Sequence, residues 1–346
     1  MRARGAPWYR RPLPLTLLAF GVVVLAVVVW GLVTPWPSAL VIRAVFERGG
    51  RATAKEMSRH VPASGVTART GLPYGEHGKG PALDVFTPDG EGALPTVVWV
   101  HGGAWISGSK QDVAPYLRIL AARGYTAVGL DYSVAPGATY PTAITQVNTA
   151  LAYLRRNAAD LRVDPERIVL AGDSAGAQIA SQVATMVTNP AYAREVGIAP
   201  ALGPEQLRGV VLNCGVYDLT AMSRLTGVVG WGFRTALWSY TGHRDWADTP
   251  AGREMSTIDD VTAAFPPTYI SGGNGDGLTA TQSVPMAERL RQLGVPVTAV
   301  FWDGHQPPLQ HEYQFHLDDP AAQHALTETL AFLGRVTAPV PATRSR

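Results

Sequence analysis

The chain has one cysteine and only three lysines among its 346 residues. With Cys214 alone, no intrachain disulfide can form, so the fold must be stabilised by its core. Cys214 lies in an apolar run and is predicted to be a buried structural thiol rather than a nucleophile. Metal-binding spacings such as C-x-x-C and H-E-x-x-H are also missing. We therefore expect neither a metal nor a cofactor.

Charged residues are scarce as well, at 16% of the chain against 46% hydrophobic residues, which allows a large buried core. The net charge is +2, but a short N-terminal tail without acids holds four arginines, Arg2, Arg4, Arg10 and Arg11. Without these four, the net charge of the remainder is −2. A nucleic-acid-binding domain carries its basic excess on the folded part. Nucleic acid is therefore excluded as a partner.

Residues 13–33 form one long, almost wholly apolar run. A run of about 20 such residues matches the thickness of a bilayer's hydrocarbon core. A cleaved signal peptide is the alternative, but its apolar region is usually ~7–15 residues long and ends in a small-x-small site. Residues 36–39 are a poor cleavage site, so we predict a retained single-pass anchor. The nearest positive charges precede the run, which places the tail 1–12 in the cytoplasm and the rest outside.

The segment 34–63 is predicted to be a juxtamembrane connector, with a short helix at 38–48 ended by Gly49-Gly50. From 64 to 336 strand and helix patterns alternate. Strands are predicted at 82–87, 96–100, 126–131, 167–171, 210–216, 268–271 and 296–302, and helices at 113–122, 141–157, 175–187, 280–293 and 321–333. This alternation predicts an α/β domain with a mostly parallel sheet covered on both faces. The tail 337–346 is predicted to be loose.

Two stretches, 189–206 and 218–262, interrupt the alternation. The second contains five aromatic residues, Trp231, Phe233, Trp238, Tyr240 and Trp246. Long insertions in compact domains are usually lids or binding loops, and we predict a lid here. The alternative is that these aromatic residues form a small core of the insertion itself.

The sequence Gly172-Asp173-Ser174-Ala175-Gly176 lies between a predicted strand and a predicted helix. A G-x-S-x-G sequence is weak evidence alone, but this context is the one a nucleophile elbow requires. The sharp turn exposes the serine hydroxyl at the N-terminus of a helix, where the dipole favours developing negative charge. Ser174 is therefore the predicted nucleophile.

A second motif, His101-Gly102-Gly103-Ala104-Trp105, directly follows the predicted strand 96–100. A tetrahedral oxyanion needs preorganised donors, and small residues let backbone N–H groups approach it. The predicted donors are the N–H groups of Gly103, Ala104 and Ala175. His101 precedes Ser174, so we predict that it braces this loop, with Gly102 and Asp173 as further supporting residues.

Together with Asp131-Tyr132-Ser133-Val134-Ala135-Pro136, these motifs resemble the hormone-sensitive-lipase-like branch of the α/β-hydrolases, with its H-G-G, D-Y-R-L-A-P and G-D-S-A-G sequences. The resemblance covers roughly residues 82–334. Ala104 replaces a third glycine, Ser133-Val134 replace Arg-Leu, and Gly137 stands where the family often has Glu. These departures bear on substrate more than on reaction.

The resemblance implies an acid after the family's seventh strand and a histidine in the loop after the predicted strand that ends at Trp302. Asp276, in a Gly-rich loop, fits the acid position, although an Asp in such a loop is also ordinary turn chemistry. For the base we prefer His311, because the family's histidine is commonly followed two residues later by an aromatic residue, here Tyr313. His305 is the alternative, since it lies closer to the strand end. A metal site built from His305, His311 and His316 is disfavoured because no partnered acid spacing accompanies them.

The expected activity is carboxylic ester hydrolysis on a small-molecule or lipid-like ester through a Ser-His-Asp triad and an acyl-enzyme. The alternatives are a membrane-tethered acyltransferase or amidase that uses the same triad, and a non-catalytic binding protein on the same fold. The residues leave the acyl chain, the alcohol and the oligomeric state open.

Overall fold

A computed structural model describes the backbone of residues 12–339, and their side chains except at 12–14, 27 and 28. The predicted cytoplasmic tail, apart from Pro12, and most of the predicted C-terminal tail therefore lie outside the described residues. The described helices are α1 (Pro12–Val33), α2 (Trp36–Met57), α3 (Lys110–Ala121), α4 (Thr142–Arg156), α5 (Ala175–Thr188), α6 (Pro190–Val196), α7 (Leu219–Met222), α8 (Gly227–Thr241), α9 (Pro250–Met255), α10 (Val284–Gln292) and α11 (Pro320–Val336).

The strands form one eight-stranded sheet in the order β1-β2-β4-β3-β5-β6-β7-β8. Their bounds are β1 (Val66–Pro73), β2 (Ala82–Pro88), β3 (Leu94–Val100), β4 (Thr126–Leu130), β5 (Val163–Asp173), β6 (Leu207–Asn213), β7 (Thr268–Gly272) and β8 (Val297–Phe301). β2 pairs antiparallel with both β1 and β4, and the other pairs are parallel. The predicted mostly parallel sheet is confirmed.

Strand β1 is absent from the sequence prediction. It lies at the edge of the sheet, and most of its side chains are exposed and several are polar. An edge strand that faces solvent lacks the alternation of apolar and polar residues that marks a half-buried strand. The pairing with β2, and not the pattern of its residues, makes this segment a strand.

The two faces of the sheet bury separate halves of the core. In β3 and β5, Val98 and Leu170 belong to one cluster of buried side chains, whereas Val97 and Val169 belong to the other. Successive side chains of a strand point to opposite faces, so a strand buried on both sides is a continuous apolar run. This is why the central strands were recognisable from sequence.

Helix α1 contains a 19-residue apolar stretch, Leu15–Val33, with a mean hydropathy of 2.7 and no buried residues. Its length and composition fit a membrane span, and they fit an N-terminal signal sequence equally well. Its last residue is separated by only two residues from α2.

Helix α2 corrects the prediction that Gly49-Gly50 end a helix begun at residue 38. The helix continues through both glycines to Met57. A helical glycine costs only about 1 kcal/mol, and packing outweighs that cost. A Cβ on Gly50 would lie 3.0 Å from the carboxyl carbon of Asp112 in α3, so the small residue allows the two helices to approach closely.

The remaining departures are also local. The strand predicted at 210–216 is β6 and ends at Asn213, and the strand predicted at 167–171 is the longer β5. The helix predicted at 280–293 starts with one π-helical turn, Thr279–Ser283, before α10. The stretch 189–206 contains α6, whose first turn is capped by Asn189; its side-chain oxygen accepts from the N–H groups of Ala191 and Tyr192. A seven-residue helix is too short to show a clear apolar period.

A cluster of charged side chains, most of them buried, joins α3 to the sheet. The Lys110 ammonium forms an ion pair with Asp131, which follows β4, and lies 3.9 Å from the carboxylate of Asp84 in β2. The Lys110 side chain is 11% exposed and that of Asp84 2%. Removing one partner of such a cluster leaves a buried charge uncompensated.

We therefore expect Lys110→Met to lower the free energy of unfolding by roughly 3–5 kcal/mol. Urea titration of the detergent-solubilised full chain, followed by tryptophan fluorescence, measures this loss. Lys79→Met is the matched control because Lys79 is exposed. Equal unfolding midpoints for the two variants would contradict the importance of the cluster.

Candidate active site

Ser174 lies at the turn between β5 and α5 in a strained conformation, with φ 51° and ψ −119°. The flanking glycines make this turn possible. A Cβ on Gly176 would lie 2.0 Å from the Val100 carbonyl oxygen, and one on Gly172 would lie 2.4 Å from the carbonyl carbon of Gly176. No other residue fits at either position. The structure thus has the strand-to-helix corner that the G-x-S-x-G sequence predicts.

The structure brings Ser174, His311 and Asp276 into one hydrogen-bonded row, here called the Ser–His–Asp row. His311 Nε2 is 2.9 Å from Ser174 Oγ, and His311 Nδ1 is 2.7 Å from Asp276 Oδ2. A carboxylate on Nδ1 stabilises the tautomer whose Nε2 is free to accept the serine proton. This geometry satisfies the requirement for an activated serine nucleophile.

The loops after β7 and β8 position the two partners of Ser174. The second carboxylate oxygen of Asp276 accepts the N–H of Leu278 at 2.9 Å, and the Gly275 N–H donates to the Leu309 carbonyl at 2.8 Å. The second contact ties the acid-bearing loop to the histidine-bearing loop two residues before His311. The loop that carries Asp276 and the loop that carries His311 therefore hold each other in place.

The other two histidines of the 305–316 segment are elsewhere. His305 is 2.9 Å from the Pro307 carbonyl through Nδ1 and lies edge-on against Trp302. His316 is 3.0 Å from the Glu56 carboxylate. Neither ring reaches Ser174, and the three histidines do not form a cluster.

The predicted oxyanion loop follows β3 and lies beside Ser174. Gly103, Ala104 and Trp105 all have positive φ, at 108°, 51° and 59°, which turns the backbone sharply. Among the hydrogen bonds of residues 12–339, none uses the N–H of Gly103, Ala104 or Ala175 as donor. These three donors remain available for a ligand, as an oxyanion hole requires.

Asp173 fastens the oxyanion loop to the nucleophile turn. Its two carboxylate oxygens accept the Gly102 N–H at 2.8 Å and the Trp99 indole N–H at 2.6 Å. Because Asp173 immediately precedes Ser174, these bonds fix the loop relative to the serine. The role expected of Asp173 and Gly102, support of the loop, agrees with these contacts.

His101 is buried and supports the same loop through contacts with Gly102 and Tyr132. Its ring stacks on Tyr132, with centroids 4.3 Å apart, and Nδ1 is 2.8 Å from the Gly102 carbonyl. Burial lowers the pKa of His101, so the ring is neutral at physiological pH. The Tyr132 hydroxyl also donates to the His101 carbonyl at 3.0 Å, which links the D-Y-S-V-A-P motif to the oxyanion loop.

The electrostatics of the row favour a protonated imidazole. Burial alone would lower the pKa of His311, but the hydrogen bond and charge of Asp276, with the charges of Glu312 and Asp173, raise it to about 9. Burial is the largest single influence, and it is outweighed only by the hydrogen bond and the three nearby negative charges acting together. A raised histidine pKa stabilises the folded state fully below pH 6.5, and this contribution is lost as the pH rises through about 9.

Glu312 is a second acid at the site, and no motif in the sequence indicates a role for it. It has a left-handed backbone, with φ 60°, and one carboxylate oxygen lies 3.9 Å from His311 Nε2. Its carboxyl also faces that of Asp173 across Gly102. Burial, followed by the nearby charge of Glu312, raises the pKa of Asp173 well above its usual range. Two facing carboxyls favour holding one proton between them.

A metal site would have to use the Ser–His–Asp row itself. In the described part of the chain, the one group with suitable donors is Cys214, Asp276 and His311, whose ligand atoms lie within 4.8 Å of one another. The Asp276 and His311 donors are engaged with each other. Burial, followed by the charge of Asp276, raises the pKa of Cys214 well above its usual range, so the thiol stays protonated and is a poor ligand. Cys214 is buried, as predicted.

A cavity of about 580 Å³ opens onto Ser174. Its floor is formed by the Ser–His–Asp row and the oxyanion loop. Its walls come from α2, through Val45, Phe46, Gly49, Gly50 and Thr53, and from the insertion, through Leu225, Val229 and Phe233. The insertion therefore borders the site, as expected of a lid. Phe233 lines the cavity, whereas Tyr240 and Trp246 are buried in the main core of the domain and not in a separate core of the insertion.

The contribution of α2 could not be predicted from the sequence. Arg43 donates to the carbonyl oxygens of Ile106 and Ala135, both at 2.6 Å, and so fastens α2 to the end of the oxyanion loop. Farther along, Glu56 contacts His316, and His60 contacts Asp318 at 2.8 Å. The segment predicted as a connector thus touches both loops of the site. The sequence feature that could have indicated this contact is Arg43, which lies within an otherwise apolar stretch of α2.

This fold, with a serine at a strained corner and a histidine and an aspartate on the loops after β8 and β7, defines the α/β-hydrolase class. The sequence matches the BD-FAE family over residues 83–290, more than half of the chain. The chain therefore belongs to this family. The resemblance to α/β-hydrolase esterases is confirmed.

Two curated relatives come from Mycobacterium tuberculosis. Esterase LipQ is 30% identical over 230 residues, which cover 64% of this chain and 52% of LipQ. LipM, a probable carboxylic ester hydrolase, is 28% identical over 300 residues, which cover 80% of this chain and 67% of LipM. The chain thus spans about half of the first relative and two thirds of the second.

The fold is shared with solved esterase structures. Esterase B from Lactobacillus rhamnosis superimposes with a TM-score of 0.73 at 21% identity, over 87% of this chain and 96% of that one. An esterase from Pyrobaculum calidifontis gives 0.69 at 23% identity, over 87% and 94%. At these identities the likeness establishes the fold.

We expect Asp276→Asn to lower the pKa of His311 from about 9, because both the hydrogen bond and the charge that stabilise the imidazolium are weakened. Glu312→Gln should lower it by less, since that carboxylate lies 3.9 Å from Nε2 and acts through its charge without a hydrogen bond to the ring. Histidine-selective NMR titration of the full chain measures these pKa values, and the signal is assigned from the spectrum of His311→Gln. An unchanged His311 titration in Asp276→Asn would contradict the proposed electrostatic origin.

Proposed function

We propose that this protein is a carboxylic ester hydrolase that acts through Ser174, His311 and Asp276 and forms an acyl-enzyme. The observation that carries the proposal is the pair of short contacts from His311 to Ser174 Oγ and to Asp276. The N–H groups of Gly103, Ala104 and Ala175 donate to no acceptor within the described residues, which supports the proposal because an oxyanion needs such donors near the nucleophile. The esterase names of the relatives agree with this chemistry.

In the acylation step, Ser174 Oγ forms a bond to the acyl carbon of the ester while its proton passes to His311 Nε2. The N–H groups of Gly103, Ala104 and Ala175 stabilise the oxyanion, each donor being worth roughly 3–4 kcal/mol. The intermediate collapses, and the leaving alkoxide takes the proton from the imidazolium. A water molecule then attacks the acyl-serine, again with His311 as base, and releases the acid.

The pKa of His311 has a consequence for this cycle. Only the neutral imidazole can accept the Ser174 proton, and a pKa of about 9 means that the neutral form increases as the pH rises toward that value. Hydrolysis is therefore expected to be faster on the alkaline side of neutrality. Asp276 keeps the imidazole in the productive tautomer and stabilises its cation after proton transfer.

We also propose that α1 is a retained anchor with the catalytic domain on the outer side of the membrane. The length of the apolar stretch supports a span. The arginines that directly precede it support a cytoplasmic N-terminus.

We expect Ser174→Ala to reduce the hydrolysis of p-nitrophenyl butyrate by at least about 10⁴-fold, because the nucleophile is removed. A release assay for p-nitrophenol with the full chain in detergent measures this, and an unchanged urea-unfolding midpoint shows that the variant is folded.

The matched control is His305→Gln, which removes a histidine of the same segment that does not contact Ser174, and its rate should equal that of the wild type. Retained turnover in Ser174→Ala would rule out the proposed nucleophile. Formation of a new ester from an added alcohol, with no free acid, would instead indicate an acyltransferase.

For the orientation, we expect Thr327→Cys to react with a membrane-impermeant maleimide in intact cells, because residue 327 is exposed on the catalytic domain. The wild-type chain is the control, since its only cysteine is buried. An immunoblot of a C-terminally tagged chain shows whether the N-terminal segment is retained. Labelling that requires cell lysis would reverse the proposed orientation.

A further inference from the structure

The exposed hydrophobic side chains of this protein are concentrated on one part of its surface. Within the described side chains of residues 12–339, the large hydrophobic residues that stay exposed all lie on α1, α2 and α8. Those of α2 and α8 are here called the apolar rim, which consists of Trp36, Leu40, Val41, Val45, Phe46, Val228, Val229 and Trp231. Val228 is 81% exposed and Val41 61%. A surface of this kind on a soluble face would be unusual.

Part of the apolar rim borders the mouth of the cavity. Val45, Phe46 and Val229 belong to the rim and also line the cavity that leads to Ser174. Helices α2 and α8 pack against each other, and each contributes exposed apolar residues to this opening. The entrance to the site is therefore apolar both on the protein surface and within the cavity.

The rim is also continuous with the membrane-length helix. Only Thr34 and Pro35 separate the end of α1 from Trp36, the first residue of both α2 and the rim. Leu40, Val41, Ala44 and Val45 recur at helical spacing on one face of α2, and the exposed Arg48 follows on the same face. Arg224 and Arg234 are exposed on either side of the α8 part. An apolar stripe that contains Trp and is bordered by Arg is typical of a helix lying in a bilayer interface.

We propose that the apolar rim rests on the surface of the bilayer that α1 spans, so that the cavity opens into the lipid and takes membrane-dissolved esters with long acyl chains. The proposal rests on the proposed ester hydrolase function and on the proposed membrane span of α1, and it names the substrate class. A long-chain ester would enter from the acyl region without crossing water. Short, water-soluble esters would reach Ser174 independently of the rim.

The seating of the rim is tested with a probe at position 228. Val228→Cys, labelled with the environment-sensitive fluorophore NBD on the full chain in phosphatidylcholine–phosphatidylglycerol vesicles, should show blue-shifted emission and quenching by nitroxide lipids. Cys214 is buried and stays unlabelled. Thr327→Cys with the same label is the control and should report an aqueous environment. Aqueous emission at both positions would overturn the proposal.

The functional consequence is tested with the triple variant Val41→Ser, Val228→Ser and Trp231→Ser, none of which lines the cavity. Hydrolysis of 4-methylumbelliferyl palmitate dissolved in the vesicles should fall at least about tenfold, since one buried apolar side chain is worth about that factor in partition. Hydrolysis of p-nitrophenyl butyrate by the same vesicles should not change.

The outcomes separate the two proposals. If the triple variant lost the same fraction of its hydrolysis rate on both substrates, or lost none on the palmitate ester, the bilayer seating would be overturned. The hydrolase function would remain intact. If the wild-type protein did not hydrolyse p-nitrophenyl butyrate at all, the hydrolase function would instead be refuted. A blue shift at position 228 that disappears as the protein-to-lipid ratio is lowered would indicate that a second copy of this chain covers the rim, and would also overturn the proposal.

Discussion

The buried carboxylate of Asp173 is the contact on which the site depends. It precedes the nucleophile by one residue and accepts N–H groups from the end of β3 and from the oxyanion loop. The pairing of β3 with β5 ends at Val100 and Gly172, and the Asp173 side chain adds a direct connection between the strained corner at Ser174 and the loop that supplies the N–H donors. A carboxyl group is suited to this position because its two oxygens accept two N–H groups at once. The facing carboxyl of Glu312 adds a restraint from the histidine loop.

The site is enclosed by elements that are distant in sequence. Its floor belongs to loops that follow the strands of the sheet, whereas its walls belong to α2 and to the insertion that carries α8. Arg43 connects the first wall to the oxyanion loop, and Tyr240 of α8 stacks on Trp105 of that same loop, with centroids 5.6 Å apart. Both walls are therefore coupled mechanically to the loop that would bind the oxyanion. The membrane-length helix continues directly into the first of them.

Much of the fold was predictable because its central strands are buried on both faces. Continuous apolar runs such as that of β3 need no partner to be recognised, and glycines near Ser174 mark a turn whose steric demands are local. The edge strand β1 and the short helix α6 were missed for the opposite reason, since pairing and packing stabilise them rather than their own residue pattern. The end assigned to the first helix after the anchor was wrong because packing of Gly50 against α3 outweighs the low helix propensity of glycine.

The sequence by itself determined the α/β class, the strand-to-helix corner at Ser174 and the small residues of the oxyanion loop, because each is a local consequence of steric size and burial. It left two candidate histidines, because Asp276 and its histidine partner are far apart in the chain. They meet only where the ends of two neighbouring strands lie side by side. Only the tertiary structure decided that His311 and not His305 reaches Ser174, that Glu312 joins the site, and that α2 forms its wall. These are relations between distant segments, and the packing of the whole sheet fixes them.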